Sequence, residues 1–218
     1  MNTNIDDIKW AREHLGNPSF FEVQRIRSAE KNKVFKIDAG DHGKFVLKQG
    51  PDLIREKERL LWLDGKLPVP KVIGWRSENG QDELLMSYTE GEDLAKLSDK
   101  LSSEDLINHL AQALRLIHSL ETTDYPFDKA GDNTVFIHGD ACLPNFIFRD
   151  DTLRGIIDVG HARLGDIKID LAAAVWSLEH NIGKDLGLAF LKAYGFPNPA
   201  KEDLEELKQI YKNDSAEE

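Results

Sequence analysis

Between Val135 and Asp158 the chain alternates apolar runs with polar loops. Val135–Ile137, Phe146–Phe148 and Gly155–Ile157 are apolar, and H-G-D-A-C-L-P-N and R-D-D-T-L-R lie between them. Short apolar runs bounded by turn residues predict strands. Upstream, alternation of apolar and polar residues predicts strands at Phe20–Ile26 and Val34–Ile37, followed by a turn at Asp41–Gly43 and a third strand at Lys44–Lys48. Pro68 and Pro70 close a helix containing Glu56 and open an extended run, Lys71–Trp75; a turn at Glu78–Gln81 leads to a last strand, Glu83–Ser87. Helical spacing marks Ile5–Leu15, with Asn4 as cap and Gly16 beyond its end, and then Ser102–Leu120, Asp166–Leu178, Asp185–Tyr194 and Lys201–Tyr211. In Ser102–Leu120 the stripe is Leu106, Leu110, Ala113, Leu114 and Ile117, with Ser102 or Ser103 as cap. Most of the strands fall before residue 90 and most of the helices after it. The expectation is an α+β chain with a β-rich lobe at 1–90 and a mostly helical lobe at 91–218.

Composition narrows the partners. A chain of 218 residues, 40% hydrophobic and 31% charged, has the makeup of a soluble globular protein with a substantial core. The net charge of -11 argues against nucleic acid or an anionic membrane surface as partner. It would suit a cationic small molecule, although solubility alone explains it too. One cysteine, Cys142, excludes an internal disulfide and agrees with a reducing cytoplasm. The opening M-N-T-N-I-D-D-I-K-W lacks the pattern of a signal peptide, and the most apolar helix, Leu171–Leu178, is too short to span a bilayer. The expectation is a cytoplasmic protein.

The polar residues of the central stretch are those that phosphoryl transfer needs. Asp140 and Asn145 have the D-x-x-x-x-N spacing of a kinase catalytic loop, and Asp158 follows an apolar strand as a kinase metal-binding Asp does. In that chemistry one carboxylate orients the attacking hydroxyl and accepts its proton, while a second carboxylate and an amide oxygen hold Mg²⁺ on the phosphates. Asp140 is thus the candidate base, and Asn145 and Asp158 are the candidate metal ligands. A lone D-x-x-x-x-N also fits ordinary turns; the triple on successive strand–loop units is far more specific. Lys48 closes a strand and Glu56 lies on the next helix, the arrangement of the kinase lysine–glutamate pair that clamps the phosphates of ATP or GTP. A single strand lysine is otherwise an ordinary solvated edge residue. His118, beside the long helix's stripe, reads as a packing histidine.

These segments resemble a known family. H-G-D-A-C-L-P-N (His138–Asn145) and I-I-D-V-G (Ile156–Gly160) are similar to the aminoglycoside phosphotransferases, antibiotic kinases of protein-kinase-like fold, and most to the branch acting on kanamycin- and neomycin-type drugs. The resemblance extends to F-V-L-K (Phe45–Lys48), to Arg55–Pro70 and to D-I-K-I-D-L-A (Asp166–Ala172). It implies a two-lobed kinase fold, Mg²⁺, transfer of the nucleotide γ-phosphoryl group to a small-molecule hydroxyl, and a link to antibiotic resistance. It selects Glu56 over Glu58, which would lie about 200° further round the helix. It implies that main-chain groups of Ser87 and Thr89, in the crossover S-Y-T-E-G, meet the adenine edge. Val46 and Ile147 become the apolar walls of the base site, although both fit equally as core residues. Asp170 becomes a buried carboxylate bracing the catalytic loop. Ser28, in R-S-A-E-K-N-K, stands where a kinase has its phosphate-covering loop; that stretch lacks glycine, and a plain charged hairpin fits it as well.

Three departures fall on the acceptor side. Glu121–Thr134 is too short for the helical insertion of that branch, the Asn213–Glu218 tail is polar rather than acidic-aromatic, and His161 replaces an arginine. His161 suits a pocket-lining role better than metal ligation. The nucleotide half matches the family and the antibiotic half does not. A catalytically silent nucleotide-binding module and a protein kinase are the competing functions. Intact Lys48, Asp140, Asn145 and Asp158 oppose the first, and the lack of an A-P-E-like segment after Asp158 opposes the second.

Overall fold

The computed structural model describes residues 8–28, 32–127, 131, 134–183 and 185–214. The chain divides into two compact units, Met1–Asp64 with Pro70–Thr89 and Gly65–Val69 with Glu90–Glu218.

In the first unit a short helix, α1 (Lys9–His14), precedes β1 (Glu22–Ser28), β2 (Lys33–Asp38) and β3 (Lys44–Gly50); α2 (Ile54–Leu63) is followed by β4 (Val72–Glu78) and β5 (Gln81–Ser87). The strands form one sheet in the order β1-β2-β3-β5-β4, antiparallel at each pairing. Phe35, Ile37, Phe45, Leu47 and Leu85 join Ile8 and Ala11 in a core cluster. Period two then turns Lys36, Val46 and Lys48 to the opposite face. The β4–β5 turn is Asn79-Gly80, both at positive φ (52° and 75°), the conformation whose twist suits a two-residue hairpin.

In the second unit β6 (Glu92–Asp93) pairs with β8 (Phe146–Arg149), which pairs with β9 (Thr152–Ile156); β7 (Val135–Ile137) pairs with β10 (Arg163–Gly165). The helices are α3 (Leu94–Leu97), α4 (Ser103–His118), α5 (Ile167–Asn181), α6 (Gly187–Tyr194) and α7 (Lys201–Asp214). All five residues of the α4 stripe are buried, and Ser102 caps the helix by accepting the Asp105 N–H. Leu171–Val175, Ser177 and Leu178 of α5 are all buried. A helix apolar on nearly every side belongs in a core, so any polar group it carries must find a partner there.

The α+β order is as expected, with local differences. The strand expected at Gly155–Ile157 runs Thr152–Ile156, because the Ile157 N–H leaves the ladder for Asn145 O. The leading helix is Lys9–His14, and Asn4 lies outside the described residues. The helix expected from Asp185 starts at Gly187. The sequence pattern did not signal β6, α3 or β10, which are too short to show a period.

Candidate active site

The loop between β7 and β8 is tied from within. Asn145, 4% exposed, donates its side-chain amide to Asp140 O at 2.8 Å and to Asp140 Oδ2 at 3.0 Å. Its main chain accepts the Ile157 N–H at 3.0 Å, so the loop is stitched to the residue just before Asp158. His138 makes a second stitch. Its Nδ1 accepts the Asp140 N–H at 3.2 Å, which leaves Nε2 to donate to Ile157 O at 2.9 Å. That pattern assigns a neutral ring protonated on Nε2. Asp158 itself has left-handed backbone, φ 60° and ψ 45°. Aspartate is among the few non-glycine residues that enter this region at low cost.

The loop is mounted on α5 at two points. Asp170, 0% exposed, accepts the His138 N–H at 2.7 Å and the Gly139 N–H at 2.8 Å, and His118 Nε2 lies 3.0 Å from the same carboxylate. Two turns along, Ser177 Oγ accepts the Leu143 N–H at 2.9 Å. Residues seven apart on a helix share a face, so one side of α5 presents both acceptors to the loop. His118 is a partnered, buried histidine and also a contact of the brace. His138 and Ser177 escaped sequence reasoning. The histidine of H-G-D was a visible signal for the first; a serine inside an apolar helix was the only hint of the second.

Cys142 sits inside this loop, its Sγ 4.0 Å from Ala173 O. Burial first, and then the neighbouring Asp140 charge, push its thiol far above the ordinary range. It stays protonated and is a poor nucleophile.

In the first unit Lys48 Nζ lies 2.6 Å from Glu56 Oε2, and both side chains are nearly buried. Of the two glutamates weighed, Glu56 is the partner. Val46 sits on the same strand face, half-buried between Lys36 and Met86. The Ser87 N–H is spent on Lys71 O, and the Ser87 hydroxyl accepts the Lys71 N–H, both at 2.9 Å. The Ser87 N–H is therefore already engaged within this unit. Thr89 is half-buried at the end of this unit. Ser28 ends β1, but its side chain lies outside the described residues. In the second unit Ile147 is half-buried on β8 opposite Gly155, and His161 is exposed. Among the described residues no helix is long and apolar enough to cross a membrane.

An antiparallel five-stranded sheet with a buried lysine–glutamate pair, joined in sequence to a helical unit bearing a D-x-x-x-x-N loop, defines a protein-kinase-like phosphotransferase. The chain belongs to the phosphotransferase enzyme family, whose model matches residues 22–134 and 129–208. It is similar to an aminoglycoside 3'-phosphotransferase of Niallia circulans, 29% identical over 184 residues, 64% of this chain and 70% of that protein. A namesake from Enterococcus faecalis is 28% identical over 62% of this chain and 68% of its own length. Among solved structures, an aminoglycoside-3'-phosphotransferase of type VIII superposes with a TM-score of 0.76 at 20% identity, covering 96% of this chain and 98% of that one. A Streptomyces rimosus ATCC10970 aminoglycoside phosphotransferase in complex with ADP and streptomycin gives 0.70 at 21% identity, covering 95% and 99%. The activity class is aminoglycoside phosphotransferase-like, phosphoryl transfer from a nucleotide to a small molecule.

Proposed function

We propose that the chain is a Mg²⁺-dependent kinase that moves the γ-phosphoryl group of ATP or GTP to a hydroxyl of a small, non-aminoglycoside acceptor. The observation that carries the site assignment is the Asn145–Asp140 contact. Both donors of the Asn145 amide point at Asp140, which turns Oδ1, a hard oxygen ligand, the other way. Asn145 Oδ1 and the Asp158 carboxylate would hold the metal, two protein oxygens being the donor set Mg²⁺ commonly takes beside phosphates and water. When bound, the ion neutralises charge on the transferring phosphates. Asp140 orients the acceptor hydroxyl and takes its proton. Lys48, held by Glu56, places a positive charge on the phosphates. In this reading the Ser87 carbonyl and the Thr89 main chain are the candidate contacts to the base edge, Val46 and Ile147 its candidate apolar walls, and Ser28 a candidate phosphate contact.

ADP in one similar structure and ATP in another favour an adenine nucleotide. The acceptor is the finer part of the proposal. In the connection between α4 and β7, residues 121–127 contain no helix, with a turn at 123–124, and Tyr125 is buried with its hydroxyl donating to Ala162 O. In sequence, Glu121–Thr134 is too short for the helical insertion with which the kanamycin-type branch grips a polycationic drug, and this supports a different acceptor. Differential scanning fluorimetry with millimolar Mg-ATP and Mg-GTP tests the nucleotide half, because a ligand of the folded state raises the melting temperature. A screen of hydroxylated metabolites and antibiotics for stimulated nucleotide turnover then tests the acceptor half. A melting curve unmoved by either nucleotide would overturn the kinase assignment.

A further inference from the structure

The brace on the catalytic loop does not end at His118. His118 Nδ1 lies 2.8 Å from the hydroxyl of Tyr194, the last residue of α6, and the two rings meet edge to face. Asp170 can only accept, so the His118 nitrogen facing it carries a proton. Nδ1, the other ring nitrogen, is left for the Tyr194 hydroxyl, so the ring is hydrogen-bonded at both nitrogens. Burial, with the Asp170 charge beside it, raises the phenol above its ordinary range, which keeps the hydroxyl protonated.

We infer that Tyr194 is a positioning residue for the transfer reaction, holding the His118 ring so that Asp170 keeps the His138 and Gly139 amides, and with them Asp140, in register. The chain of contacts is continuous: Tyr194 to His118 at 2.8 Å, His118 to Asp170 at 3.0 Å, and Asp170 to the two loop amides at 2.7 and 2.8 Å. It runs from α6 through α4 and α5 to the residue preceding Asp140. Asp170 is 0% exposed, so no water can replace a donor that swings away. An imidazole held at one nitrogen can turn about its bond to the chain; held at both, it cannot. Arg115, also on α4, donates to Ala193 O, so the C-terminal end of α6 is fastened to α4 at a second point beside Tyr194's contact.

The inference rests on the kinase reading for its consequence, but its structural half can be measured without turnover. Tyr194→Phe removes one oxygen and keeps the ring, so the fold should survive. The expected result is a kcat about fivefold lower with the nucleotide KM unchanged, the effect of losing one ordinary hydrogen bond. By NMR hydrogen exchange on the whole chain, the His138 and Gly139 amides should exchange about fivefold faster in the variant, while Leu110 and Leu114 within α4 keep their wild-type rates. Unchanged loop exchange, an equal acceleration throughout α4, or an unchanged kcat would each overturn the assignment. An inactive wild type would sink the kinase reading instead, and the exchange rates would still decide the role of Tyr194.

Discussion

Asn145 and Asp140, five positions apart, are joined twice: the Asn145 amide reaches both the main-chain carbonyl and the carboxylate of Asp140. One residue thereby sets the backbone and the side chain of the other. Replacing Asp140 by Asn keeps the shape and an oxygen that can still accept from Asn145, but removes the base. Acceptor-dependent turnover should fall by roughly a hundredfold or more, with nucleotide affinity little changed. Steady-state kinetics with nucleotide titration check this, and equal turnover in the two proteins would show that another group is the base.

The Lys48–Glu56 pair makes a single truncation ambiguous. Lys48→Ala leaves the Glu56 carboxylate buried without its cation and should cost about 3–5 kcal/mol of folding stability. Replacing both, as Lys48→Met with Glu56→Leu, should return most of that stability while the Mg-ATP thermal shift stays lost. Urea denaturation read beside fluorimetry separates the two effects. A double variant that still shows the full thermal shift would remove Lys48 from the nucleotide site.

Gly139 precedes the candidate base with φ +82°, and a Cβ there would run into the His161 carbonyl oxygen. Gly139→Ala should therefore destabilise the fold by about 1–3 kcal/mol and lower kcat, since the strain falls on the backbone that carries Asp140. The control is Gly131→Ala, at a position without positive φ where, among the described residues, a Cβ meets only the Thr134 methyl at ordinary contact distance, 3.6 Å. Equal melting temperatures for the two variants would contradict the crowding at Gly139.

Cys142 supplies a pH signature. Its folded-state pKa is raised by burial, so its contribution to stability is fully present below about pH 9, where a free thiol begins to ionise. Above that the unfolded chain releases a proton that the folded chain retains, and stability falls with rising pH. Cys142→Ala should flatten this alkaline slope, and the native thiol should resist iodoacetamide at pH 8. Rapid alkylation of the folded protein would mean that the thiolate is accessible.

Kanamycin and neomycin provide the sharpest test of the acceptor. Positioning supplies most of the rate in phosphoryl transfer, and the described residues 121–127 contain no helix to carry an acidic insertion. The expected kcat/KM on either drug lies below about 10⁴ M⁻¹s⁻¹, the lower end of ordinary enzyme efficiency. A higher value would show that the site grips aminoglycosides by other means.

The sequence by itself determined which groups are candidates, because their pairing shows in short spacing. Asp140 and Asn145 are five apart, Lys48 and Glu56 eight, and the apolar stripe of α4 repeats every helical turn. Local periodicity and residue type carry such information, because neighbours in the chain are necessarily neighbours in space. Only the tertiary structure decided what holds those groups still. His118 and Asp170 are 52 residues apart, Leu143 and Ser177 34, and His118 and Tyr194 76. No local pattern distinguishes a polar residue in an apolar helix that is exposed from one that meets a partner. Burial makes the difference, because inside the core each of these groups must satisfy its hydrogen bonds with whatever the fold brings beside it.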